Sequence, residues 1–95
     1  MPPDTMVSAD AALRARARRV IPGGQWGHLD AAKLPGGYPQ YFARAEGCRL
    51  IDVEGREFID LMCSWGPIVL GHQHPGVEQA ARDQAARGDC MNGPA

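Results

Sequence analysis

The stretch "YFARAEGCRLIDVEGREFIDLM" (residues 41–62) decides how the chain folds. Three short runs, each with β-branched or aromatic residues, are separated by Glu46-Gly47 and Glu54-Gly55. A glycine at the second position of a tight turn supplies the positive φ that a hairpin needs. In the middle run Leu50 and Asp52 fall on the face opposite to Ile51 and Val53, the period-two pattern of a strand. The stretch predicts a three-stranded antiparallel meander.

Towards the N-terminus, "SADAALRARARRVI" (residues 8–21) predicts a helix. Ser8 stands where an N-cap belongs, Asp10 suits the positive end of the helix dipole, and arginines crowd the last turn. Leu13, Ala17, Val20 and Ile21 share a stripe that has to lie against something. Pro22-Gly23-Gly24 stops the helix, and a long loop follows to Pro39, of the kind that is usually functional or disordered. Towards the C-terminus comes the uncharged "LMCSWGPIVLG", then "HPGVEQAARDQAARG", which predicts a second helix with Pro75 in its first turn and Gly88 at its stop. Residues 1–7 are expected to be a loose tail and 8–95 the folded segment, with nothing in "DCMNGPA" to close a fold. By itself the segment reads as α+β.

Composition narrows the function. A net charge of −1 over 95 residues gives no electrostatic footprint for nucleic acid or a membrane surface. Cys48, Cys63 and Cys90 form an odd set without a CxxC pair, as in a reduced cytosolic protein rather than a disulfide framework. The first twenty residues contain no apolar run of a secretory signal, and the uncharged run from Met62 to Gln73 falls short of the ~20 residues of a membrane span. The expectation is a cytoplasmic protein without nucleic-acid or membrane partners.

Candidate chemistry is sparse. His72 and His74 make an HxH pair, but His28, Cys63 and Cys90 are scattered singles, and a closed zinc site wants four donors. The expected reading is structural, with His74 at a helix entry, His72 packed on a turn, and no metal. Trp65 stands between Ser64 and Gly66-Pro67, where stiff backbone presents a ring rather than burying it. Trp26, His28 and Asp30 alternate along the long loop and can line a cleft or simply decorate it. Neither a dinucleotide nor a Walker glycine pattern can be written through the chain, and Ser64 is in no nucleophile elbow. Lys33 is the only lysine.

In order along the chain, "RARRVIPGG", the "EG…DVEG…FID" meander, "SWGP", "LGHQHP" and a final "GP" resemble the N-terminal portion of class-III aminotransferases. These are fold-type I (α/β) enzymes dependent on pyridoxal 5′-phosphate (PLP), and the closest subgroup is the one that contains the glutamate-1-semialdehyde 2,1-aminomutases. The resemblance implies amine and carbonyl substrates, a homodimer, and a loop at Ser64-Trp65-Gly66 on the substrate side of the cofactor. It also implies that the Schiff-base lysine and the phosphate cup lie downstream of these residues, so that Lys33 has no catalytic part and the segment alone is inactive. Aminomutases carry an arginine after "PGG" that pairs with a substrate carboxylate. Laying "PGGQWGHLDAAKLPGG" on that loop puts Asp30 at the arginine's place.

A carboxylate at that position is expected to repel an acidic substrate and to suit an amino-bearing or polyhydroxylated one, such as an amino sugar or a diamine, or else a neutral one. The expected substrate-contacting residues are therefore Trp65, Ser64, Asp30 and Trp26. The rival expectations are a stand-alone interaction module or relic that docks through its first helix, and a true glutamate-1-semialdehyde aminomutase.

Overall fold

The computed structural model describes residues 7–27, 29–35 and 37–89. His28, Cys90 and the final Gly93-Pro94 lie outside the described residues, as does all of the expected tail except the exposed Val7. The elements are helix α1 (Ala9–Val20), strands β1 (Phe42–Glu46), β2 (Arg49–Asp52) and β3 (Glu57–Ile59), and helix α2 (Pro75–Ala85). The strands form a single sheet in the order β1-β2-β3, the expected meander. Three 3-10 turns, at Pro22–Gly24, Ala31–Lys33 and Cys63–Trp65, punctuate the loops. The described residues divide into two compact units. One holds the residues up to Arg44 with Leu50–Phe58, the other Ala45–Arg49 with those from Ile59 on.

In the first unit, α1 begins as its sequence dictates. Ser8 sits at φ −61 and ψ 153, and its hydroxyl accepts the Ala11 N–H at 3.2 Å. The Ile21 N–H closes the helix on the Ala17 carbonyl at 2.8 Å, and the chain leaves in extended backbone before Pro22. The apolar stripe behaves differently from expectation. Ala17 is buried, but Val20 is 72% exposed and Ile21 leaves the helix as its C-cap.

What attaches α1 is a carboxylate. Oδ1 of Asp10 accepts the consecutive N–H groups of Gln40 and Tyr41 at 3.1 and 3.2 Å, while Oδ2 takes the Arg14 guanidinium. The same guanidinium donates to the Tyr38 carbonyl. Burial pushes the Asp10 carboxyl up, but the hydrogen bonds from Arg14, Gln40 and Tyr41 outweigh it and hold it below the ordinary 3.8.

The β2–β3 turn is built the same way around Asp52, which is 2% exposed. Its Oδ1 accepts the N–H groups of Glu54 and Arg56 at 3.0 and 2.7 Å, and its Oδ2 accepts Arg56 Nε at 2.7 Å. Burial again opposes ionisation and is again outweighed, here by the Arg56 N–H and guanidinium and the Glu54 N–H, so the carboxyl titrates below 3.8. Gly55 takes φ +82 inside this turn, as the Glu-Gly spacing requires. Phe42 and Phe58 meet edge to face across the sheet at 6.1 Å.

Apolar burial is thin. Among the described residues only Ala17 and Ala31 are buried hydrophobics, whereas Leu61, Val69, Leu70 and both tryptophans are well exposed. No helix among the described residues is long and apolar enough to cross a membrane.

Gly23 shows how tightly the turn after α1 is drawn. It has φ +70, and a Cβ there would stand 2.8 Å from the Leu29 carbonyl oxygen, whereas Gly27 has φ +69 with open space around it. Gly27→Ala should cost only the left-handed backbone, about 1–2 kcal/mol. Gly23→Ala must also displace backbone and should lower the melting temperature clearly further, as thermal denaturation of the two variants in the full-length protein will show.

Candidate functional site

The uncharged run after β3 turns the wrong way round. Cys63, Ser64 and Trp65 have φ of +53, +50 and +69, and Gly66 follows at +102. Three successive non-glycine residues are thus left-handed, at roughly 3–6 kcal/mol of backbone cost in total. Such conformations persist only where surrounding structure over-determines them, and they cluster at functional sites. Gln73, at φ +55, is the one further non-glycine residue of this kind among the described residues.

The bonds that enforce this turn come from Asp60. Its Oδ1 accepts the N–H groups of Met62 and Cys63, both at 2.9 Å, which steers the chain out of β3 into the turn. Inside the turn the Trp65 N–H reaches the Met62 carbonyl at 3.1 Å, and the Gly66 and Ile68 N–H groups converge on the Cys63 carbonyl at 2.9 and 3.1 Å.

Asp60 is itself fixed. Its N–H donates to the Cys48 carbonyl at 2.8 Å, and its Oδ2 accepts from His72 Nε2 at 2.6 Å. His72 is held by paired backbone bonds with Gly47 at 2.8 and 3.0 Å. Next to it, Gly71 approaches so closely that a Cβ would stand 3.1 Å from Gly47 Cα. The hydrogen bonds from His72 and the Cys63 N–H hold the Asp60 carboxyl below 3.8 against the opposing effect of burial, with the Met62 N–H adding to them.

Of the residues expected from the sequence, Ser64 and Trp65 are therefore together in this turn, and Trp65 is presented with 67% of its surface exposed. Trp26 and Asp30 belong to the other unit. Trp26 is equally exposed, while Asp30 caps the Ala31–Lys33 turn, its Oδ1 accepting the Ala32 N–H at 2.9 Å. His74 provides the helix entry, its carbonyl accepting the Glu78 N–H ahead of Pro75. An open groove of about 340 Å³ runs beside Pro67, Leu70 and Val77, and neither Ser64 nor Trp65 lines it. Among the described residues no cluster of three His, Cys, Asp or Glu side chains could hold a metal ion.

Asp60 was not singled out by its sequence. The available signal is that it is the last charged residue before seventeen uncharged ones, with a glycine-proline turn ahead. An aspartate in that setting commonly bonds the backbone two or three residues on.

A family model described as "Aminotransferase class-III" matches residues 35–94. The chain belongs to the class-III aminotransferase family. It is 48% identical over 82 residues to an aminopentol aminotransferase of Sphingopyxis macrogoltabida, covering 86% of this chain and 19% of that protein. Identity to a glutamate-1-semialdehyde 2,1-aminomutase of Roseiflexus castenholzii is 45%, with the same coverage. The FumI protein of Sphingopyxis sp. MTA144, solved in its PLP internal aldimine form, superposes with a TM-score of 0.75 at 45% identity, over 90% of this chain and 21% of FumI. The chain thus has the fold of a piece of a fold-type I transferase and spans about a fifth of the length of these relatives.

The family depends on PLP. The described residues do not fit as its holder: Lys33, the only lysine, lies exposed on a 3-10 turn. This chain instead brings the strained turn and its aromatic ring.

Since the Asp60 carboxyl is lowered in the folded state, its contribution to stability is present above pH 3.8 and is lost as pH falls through the lower folded value. The near-ultraviolet circular dichroism of Trp65, read in a Trp26→Phe background, should accordingly hold steady down to pH 3.8 and be lost only at more acid pH. Asp60→Asn should reduce that pH dependence, leaving the share that Asp10 and Asp52 contribute.

Proposed function

We propose that this chain is the N-terminal segment, over residues 8–95, of a cytoplasmic, homodimeric class-III aminotransferase that moves an amino group between an amine and a carbonyl compound. The observation that carries the reading is the left-handed Cys63–Trp65 turn, which spends backbone strain to present an exposed indole beside a serine. PLP, bound by other parts of the enzyme, supplies the electron sink. The residues of this chain proposed to contact substrate are Trp65, Ser64, Asp30 and Trp26.

Substrate choice turns on Asp30. A carboxylate attracts an ammonium and accepts hydroxyl hydrogen bonds, and it repels a substrate carboxylate. Amino polyols, amino sugars and diamines fit that chemistry, and the similarity to a protein named for aminopentol points the same way. The second reading is a glutamate-1-semialdehyde aminomutase, favoured by the 45% identity to the Roseiflexus castenholzii protein.

The two readings separate in the full-length enzyme. For an amine transaminase, Asp30→Arg should lower kcat/KM for amino polyols and diamines by about tenfold, the equivalent of about 1.4 kcal/mol, and raise it for acidic amino acids. Wild-type turnover of glutamate-1-semialdehyde in preference to every amine offered would select the aminomutase instead.

The isolated 95-residue chain is expected to be inactive, because its one lysine, Lys33, is not the Schiff-base lysine, and to fold poorly, because its buried apolar side chains amount to two alanines among the described residues. It should melt over a broad range without a cooperative heat-absorption peak. A sharp two-state transition in calorimetry would favour a stand-alone interaction module.

A further inference from the structure

Trp65 stands out for what does not hold it. With two thirds of its surface exposed, the ring is not locked in place by packing. Its direction has to come from the backbone, and that backbone is left-handed over three residues whose own preferences run the other way. The side-chain acceptor that enforces the entry to the turn is Asp60, through the N–H groups of Met62 and Cys63.

Asp60 in turn is braced from two directions by groups with little freedom. Its side chain is 7% exposed and that of His72 15%, and they meet at 2.6 Å. His72 cannot shift without breaking its backbone pairing to Gly47, which the close approach of Gly71 reinforces. Every non-glycine residue with positive φ among the described residues flanks one or other member of this pair: Cys63, Ser64 and Trp65 follow Asp60, and Gln73 follows His72.

Resting on the reading that Ser64 and Trp65 meet the substrate, we infer that Asp60, braced by His72, is a positioning residue that sets the placement of the Trp65 ring and so the affinity for the amine. Neither side chain needs to touch the substrate. A carboxylate suits the task because one oxygen serves two N–H groups while the other stays free for the imidazole.

The test is a double-mutant cycle in the full-length, PLP-loaded enzyme, reading kcat, KM for the amine, cofactor content, and the near-ultraviolet circular dichroism of Trp65 taken as the difference from Trp65→Ala. Asp60→Ala should raise the amine KM about tenfold or more, because small misplacements of a contact group cost this much, while kcat and cofactor content stay within about threefold. Asp60→Asn keeps an oxygen for both N–H groups and should bring KM back to within about threefold of wild type. In a Trp65→Ala background, Asp60→Ala should add nothing further, since both changes remove the same contact. Additive effects, or a wild-type KM in Asp60→Ala, would overturn the inference.

Should Asp60→Ala fail to fold, His72→Ala replaces it in the same cycle with the same expected non-additivity, and additivity there overturns the inference equally. An unchanged KM in Trp65→Ala alone would instead remove the proposed substrate contact. The dichroism then still decides the positioning: a Trp65 signal unaltered by Asp60→Ala or His72→Ala overturns it.

Discussion

Capture of backbone N–H groups by aspartate carboxylates is the interaction on which this chain's structure depends. Asp10, Asp52 and Asp60 each accept two N–H groups on one oxygen and offer the other to a side chain, Arg14, Arg56 and His72 respectively. Asp30 does a smaller version of the same at the Ala31–Lys33 turn. A carboxylate can do this because it has two oxygens and several lone pairs, enough for a turn's orphaned donors and a counter-group at once. With Ala17 and Ala31 as the buried hydrophobics, packing alone has little with which to set the loops.

That division of labour bears on function. Packing yields a shape that relaxes when a side chain changes, whereas a carboxylate gripping two nearby N–H groups fixes the direction of the chain beyond it. At Asp10 this aligns α1 with the segment at Gln40 and Tyr41, and at Asp52 it closes a hairpin. At Asp60 it sends the chain into a left-handed turn that no residue in it favours. The same device is structural in two places and, on the proposed reading, shapes a substrate contact in the third.

The uncovered apolar side chains tell a complementary story. Leu61 is exposed, and Val69, Leu70 and Val77 are exposed along a groove of about 340 Å³. Relatives about five times as long have further chain with which to cover such a surface. On the proposed reading this segment contributes rigid turns and exposed rings to an enzyme whose core and cofactor site are made elsewhere.

Much of this could be read from the residues. Ser8, Asp10 and Pro22 determined α1 and its ends; Gly47 and Gly55 determined the meander; Pro75 determined where α2 starts. The ordered motifs determined the family. Each of these rests on a residue whose own conformational preference, or whose reach of three or four positions, suffices. The burial of the α1 stripe was not legible, because Val20 and Ile21 are apolar whether or not anything covers them. Nor was the left-handed turn, since Cys63, Ser64 and Trp65 carry no glycine or asparagine to announce it. Asp60 bonds to the entry of that turn and His72, twelve positions later, braces Asp60, bonds that accompany the Gly47–His72 bridge. A local preference is written in one residue; the sign of φ at a strained turn is written in its distant partners.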